Sequence, residues 1–114
     1  MADMNPARPP ATATGARISF DRRELGIILS LYGSKVAQGE WRDYAIDAGH
    51  EKAVFCVFRR TSEVPLYRIE KTPWQARKQG LYSVIAQGGM ILRRGHDLAQ
   101  VVRVLMRPPR LVAV

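Results

Sequence analysis

Pairs of adjacent cationic residues are the feature of this sequence best suited to chemistry with an anion. Each pair lies at the end of a predicted strand or helix, and together they are Arg59, Arg60, Arg77, Lys78, Arg93 and Arg94. A guanidinium group presents a planar set of donors that matches the oxygens of phosphate and carboxylate. On a strand, the two members of a doublet point to opposite faces, so each doublet can give one cation to an open face. The doublets therefore predict weak contact with the phosphates of RNA or DNA.

The overall charge favours the same class of partner. The chain has 18 Lys and Arg against 10 Asp and Glu, a formal net charge of +8, and most of the cations are arginine. Two interpretations of the charge stay open: contact with nucleic acid, and a compositional bias without a binding role. Such a bias also arises from the base composition of a genome and from a solvated surface, because net charge bears on solubility and non-specific binding before it bears on function. No RRM, KH or helix-turn-helix signature accompanies the charge.

No group of residues has the spacing of a catalytic or metal-binding site. Cys56 lies in the most apolar segment, where a thiolate is poorly solvated, which favours core packing over a reactive nucleophile. His50 and His96 lack the paired Cys or His ligands of a zinc site. The sequence also lacks a glycine-rich phosphate-binding loop and a Gly-x-Ser-x-Gly elbow. We therefore expect a protein that is not an enzyme and that needs no cofactor or metal.

A helix predicted over residues 21–38 offers an alternative function. Its predicted core stripe consists of Leu25, Ile28, Leu29, Tyr32 and Val36. Ile27 and Leu31 lie one turn apart on the far side of the helix, where they are either covered by another segment or form an exposed apolar patch. A regulatory or adaptor domain would use such a patch to bind a protein partner or a second copy of itself as a homodimer.

The ends of this helix are marked in the sequence. Asp21 is the predicted N-cap, and Glu24 stands where the second residue of a capping box lies. Gly39 follows the last helical residue, as glycine often does. Gly26 and Gly33 inside the helix each cost about 1 kcal/mol relative to alanine, which predicts that another segment packs closely against them.

The middle of the chain predicts a sheet. Residues 53–58 are apolar at every position, which favours a central strand that is buried on both faces. Tyr44 and Ile46 before this run, and Tyr67 and Ile69 after it, keep one parity, as half-buried antiparallel neighbours do.

The predicted fold class is α+β, in the order α-β-β-β-short α-β-β-α. An N-terminal and a C-terminal helix cover at least one face of a five-stranded, mainly antiparallel sheet. Residues 81–86 and 90–94 form the last hairpin, and residues 97–106 form the last helix. We expect one domain over residues 18–107, with a disordered tail at residues 1–17 and a C-terminal tail at residues 108–114.

The sequence predicts a cytoplasmic location. It has one cysteine, which excludes an internal disulfide and fits a reducing compartment. No run approaches the roughly 18 apolar residues of a membrane span. The N-terminus lacks the apolar region of a secretory signal. No membrane contact is expected.

Several segments resemble those of a known bacterial family. They are FDRRELGIILSLYG, GEWRDYAIDAG, FRRTSEVPLYRIEK and ILRRGHDLAQVVRVL. These segments are similar to domain-of-unknown-function family 2794, over about residues 18–106. The resemblance implies a small cytoplasmic bacterial protein, and it implies no activity or site residue for this chain.

Overall fold

The computed structural model of the chain describes residues 17–60 and 64–106. Its elements are α1 (Arg22–Ala37), β1 (Asp43–Ala48), β2 (Ala53–Phe58), β3 (Tyr67–Lys71), the 3-10 turn Pro73–Gln75, β4 (Tyr82–Ala86), β5 (Ile91–Gly95), α2 (Leu98–Val102) and the 3-10 turn Arg103–Leu105. The predicted α+β class and the predicted order of elements are confirmed. The two predicted tails, residues 1–17 and 108–114, lie outside the described residues apart from Arg17.

The five strands form one antiparallel meander. Each strand pairs with the next along the chain, so the spatial order is β1-β2-β3-β4-β5. A bulge between Val84 and Ile85 shifts the register against β5. The meander leaves β1 and β5 as edge strands, each with a row of outward backbone groups.

Only one face of the sheet carries helices within the described ranges. Directly opposed residues of antiparallel neighbours point to the same face, so the register assigns every strand residue to a face. The fully buried row of β2 is Ala53, Phe55 and Val57, and its half-buried row is Val54, Cys56 and Phe58. Both helices contribute to the core around Phe55, on what we call the covered face. The prediction that β2 is buried on both faces is therefore wrong, because its second row is only half-buried. We call the face of that second row, which carries no described helix, the open face.

The predicted core stripe of α1 is partly wrong. Ile28 is fully buried, but Leu29 and Val36 are 38% and 40% exposed. The residues that α1 buries are Glu24, Ile28, Leu31 and Lys35. This row keeps helical spacing but includes two charged residues, which a hydrophobic pattern assigns to solvent. They are buried because each forms an ion pair, Glu24 with Lys71 and Lys35 with Glu40.

The local signals at the ends of α1 are confirmed. The Asp21 side chain accepts a hydrogen bond from the Glu24 N–H at 2.8 Å, and the Glu24 side chain accepts one from the Asp21 N–H at 2.7 Å. Gly39 follows the Gln38 C-cap with a φ of 77°. The predicted close packing against Gly26 and Gly33 is wrong, because a Cβ at either position would have open space within 4 Å.

Candidate binding surfaces

A buried charge network fixes where α1 lies on the sheet. Lys71 of β3 donates to Glu24 Oε1 at 2.8 Å, and the Tyr82 hydroxyl of β4 donates to Glu24 Oε2. Burial alone would raise the pKa of Glu24, but the hydrogen bonds from Lys71, Tyr82 and the Asp21 N–H outweigh it and lower that pKa. Burial, together with the Glu24 carboxylate, raises the pKa of Tyr82. The start of α1 is thus held over β3 and β4 by a network in which Glu24 is charged.

The predicted arginine site is divided between the two ends of the sheet. Arg59 and Arg60 follow the end of β2, which adjoins the start of β3. Arg77 and Lys78 lie in the connection that follows the end of β3. A strand of five residues spans roughly 17 Å, so these two pairs lie about that far apart.

The doublet of β5 is split between the two faces, as the alternation predicts. Arg93 lies opposite Val84 on the covered face, and Arg94 lies opposite Ser83 on the open face. Arg93 lines a pocket of about 390 Å³ beside α2, and the other residues of this pocket are Gln100, Arg103, Val104 and Met106. Arg59 and Arg60 line a second pocket of about 390 Å³ with Val64, Leu66 and Gln87.

Ile27 and Leu31 lie between the two helices. Leu31 is only 6% exposed and belongs to the core, and Ile27 is half-buried. Both line a groove of about 450 Å³ together with Val102 and Met106. Leu31 is therefore buried beside α2, whereas Ile27 stays half-buried in the wall of the groove.

An apolar surface that the sequence patterns do not predict lies on the other flank of α1. Leu29 and Val36 of α1 are 38% and 40% exposed, and Tyr44 and Ile46 of β1 are 44% and 45% exposed. Tyr32 joins the two pairs, because its ring lies 4.8 Å from the ring of Tyr44 and its hydroxyl donates to the Arg42 carbonyl at 2.7 Å. We call the surface formed by Leu29, Val36, Tyr44 and Ile46 the β1 face.

The opposite row of β1 is acidic. Asp43 and Asp47 lie opposite Phe58 and Val54, which places both aspartates on the open face. The stretch 40–51 carries four carboxylates and one arginine in a chain whose net charge is +8. Apolar and acidic side chains thus alternate along one edge strand of a basic protein.

A family model described as "Protein of unknown function (DUF2794)" matches residues 18–102. The chain belongs to the DUF2794 family. The matched region of this DUF2794 protein includes β1 and both helices. Comparisons with curated proteins and with solved structures gave no match.

The remaining candidates for chemistry in this DUF2794 protein lie apart. Cys56 is half-buried on the open face, and burial raises the pKa of its thiol although Arg68 acts in the opposite direction. His50 lies in the β1–β2 turn and His96 follows β5. Across the described residues, no group of three or more His, Cys, Asp and Glu could hold a metal ion. None of the described helices is long and apolar enough to span a bilayer.

Proposed function

We propose that this protein is a non-enzymatic binding module whose β1 face takes up an extended segment of a partner protein. One observation carries the proposal. Two independent sequence patterns, the stripe of α1 and the alternation of β1, predict buried apolar residues, and each leaves two of them exposed. These are Leu29 and Val36 on α1, and Tyr44 and Ile46 on β1. A partner that covers the β1 face would complete both patterns.

The backbone of β1 supports an added strand. Two contacts of the segment before α1 lie at the end of its outer edge: the Ile18 N–H donates to the Gly49 carbonyl at 2.6 Å, and the Arg17 side chain donates to the Ala48 carbonyl at 2.8 Å. Among the described residues, no backbone group pairs with the outer edge of residues 43–47. Addition of a strand to an exposed sheet edge is a common mode of peptide recognition, in which backbone hydrogen bonds give affinity and alternate side chains give specificity.

Charge and polarity define the partner segment. The row of Tyr44 and Ile46 calls for apolar side chains, and the row of Asp43 and Asp47 calls for basic ones. A second copy of the chain fits this edge less well. If two β1 strands paired about Ala45, Asp43 of one copy would oppose Asp47 of the other, and like charges directly opposite are destabilising. We propose that the partner, like this protein, is cytoplasmic.

A labelled synthetic peptide that alternates valine and arginine tests the proposal. We expect fluorescence anisotropy to show binding, and we expect Ile46→Lys to weaken it about tenfold or more. Burial of a large aliphatic side chain contributes about 1.5–3 kcal/mol, and about 1.4 kcal/mol is a factor of ten in affinity. The matched control is Ile91→Lys on β5, since Ile91 is 43% exposed and Ile46 is 45% exposed. We expect this control to bind normally.

Two results of the peptide experiment would contradict the proposal. One is equal binding of a peptide that alternates valine and glutamate, because the acidic row of β1 should repel it. The other is an equal loss of affinity in the Ile46→Lys and Ile91→Lys variants. If sedimentation shows a dimer that only Ile46→Lys dissociates, the occupant of the β1 face is a second copy and the proposed partner is wrong.

A further inference from the structure

We infer that the pocket between β5 and α2 binds a phosphate group through Arg93 and Arg103. This site is separate from the β1 face, because β5 and β1 are the two opposite edges of the sheet. The inference therefore does not depend on the proposed partner segment.

Side chains from two elements converge on this pocket. Arg93 comes from β5, while Gln100 belongs to α2 and Arg103 follows it by one helical turn. The pocket has a volume of about 390 Å³, and Val104 and Met106 form its apolar part. Two guanidinium groups and a side-chain amide supply the donors that phosphate oxygens require.

The cations of this pocket are not neutralised within the described part of the chain. The ion pairs found there use Lys35, Lys52, Arg68 and Lys71. Neither Arg93 nor Arg103 has a carboxylate partner among the described residues. A bound anion would supply the missing negative charge, and a guanidinium paired with phosphate forms strong, directional hydrogen bonds.

Two other pockets of the described residues fit an anion less well. The pocket of Arg59 and Arg60 receives both cations from adjacent residues of one segment, and Arg60 already takes part in another interaction. The groove between the helices contains a single cation, Lys35, which is paired with Glu40 at 3.2 Å. Among these three pockets of the described residues, only the β5–α2 pocket combines two arginines from different elements.

A phosphate in this pocket can come from a polynucleotide backbone or from a small phosphate monoester. Binding of a fluorescein-labelled oligouridine at roughly 50 mM salt tests for the site, because electrostatic association is strong at low ionic strength. Competition then separates the sources. Displacement by uridine monophosphate at low concentration identifies a small phosphate ligand, and displacement only by unlabelled oligouridine identifies the backbone.

Arg94 provides the matched control for the substitutions. We expect Arg93→Gln and Arg103→Gln each to weaken binding about tenfold, as loss of one charged hydrogen-bonding group does. Each should also reduce the slope of log K against log salt by about 0.7, the value for one phosphate contact with a single strand. Arg94→Gln makes the same charge change on the same strand but on the open face, and we expect less than about a twofold loss there.

The inference is overturned if oligouridine and uridine monophosphate both fail to bind at low salt. It is also overturned if Arg94→Gln weakens binding as much as Arg93→Gln, because general charge and not the pocket then governs binding. A loss of affinity without a change in the salt slope would likewise exclude a phosphate contact. Arg93, Arg94 and Arg103 are all exposed, so we expect the thermal unfolding of each variant to match that of the parent protein.

Discussion

At the scale of single residues, Glu24 has two structural roles. Its backbone and side chain complete the capping box of α1, and its carboxylate binds Lys71 and Tyr82 of the sheet. The residue is only 3% exposed, so the carboxylate is desolvated and depends on these partners. Removal of one partner of a buried ion pair leaves the other charge uncompensated, which makes such pairs sensitive to substitution.

We expect Glu24→Gln to lower the free energy of unfolding by about 3 kcal/mol, because it leaves Lys71 without its ion pair. Urea unfolding of the variant and the parent protein measures the difference. The control is Asp47→Asn, since Asp47 is an exposed carboxylate on β1 and its loss should change stability by less than about 0.5 kcal/mol. A Glu24→Gln variant as stable as this control would show that the network does not hold α1.

The pH dependence of the same pair of proteins gives a second readout. The pKa of Glu24 is lowered from its ordinary value of 4.5, so its contribution is present above that pH and is lost as pH falls through the folded-state pKa. The difference in stability between the parent protein and Glu24→Gln should therefore be largest above pH 4.5 and should narrow as the pH falls below it. A difference that widens in acid would contradict the direction of the pKa shift.

At the scale of elements, two glycines differ in how closely the backbone of another segment approaches them. A Cβ at Gly80 would lie 2.7 Å from the Gly95 carbonyl carbon, and Gly80 has a φ of 95°. A Cβ at Gly26 in α1 would meet nothing within 4 Å. The close approach that the sequence predicts inside α1 occurs instead just before β4, where Gly80 lies against Gly95 at the end of β5.

These two positions make a paired prediction. Gly80→Ala should cost about 2–3 kcal/mol, because it combines positive-φ strain with a backbone clash. Gly26→Ala should stabilise the protein by about 0.5–1 kcal/mol, because alanine loses less conformational entropy in a helix. Thermal unfolding of both variants measures the two changes. Destabilisation by Gly26→Ala would contradict the open space at Gly26, because it would indicate that another segment packs against that side of α1.

The elements also divide into those that the sequence predicts and those that it does not. Caps and turns are predictable because their signals are local, as at Asp21 and Gly39. The buried side of α1 is not, because it depends on the ion pair between Glu24 and a lysine 47 positions away. The exposure of the second face of β2 is not predictable either. An apolar run is compatible with a strand that is covered on one face and with a strand that is covered on both.

At the scale of the whole molecule, the meander decides which candidate residues meet. The cationic pairs were visible in the sequence, but antiparallel topology sends Arg59 and Arg77 to opposite ends of the sheet. The sequence indicates Arg93 as a candidate, but it does not predict that Arg103 lies beside it, because their proximity depends on how α2 packs beside β5. The sequence does not predict the β1 face for the same reason. Its apolar residues have the spacing of core residues, and their exposure depends on the position of α1.

At the same scale, we propose that β1 is the edge strand that receives a partner segment. Backbone hydrogen bonds to an added strand slow the exchange of the amides that they protect, so hydrogen exchange locates the new strand directly. We expect the alternating valine and arginine peptide to slow exchange in residues 43–48 of β1 and to leave residues 91–95 of β5 unchanged. Protection confined to β5, or binding of the peptide without any protection of β1, would contradict the account.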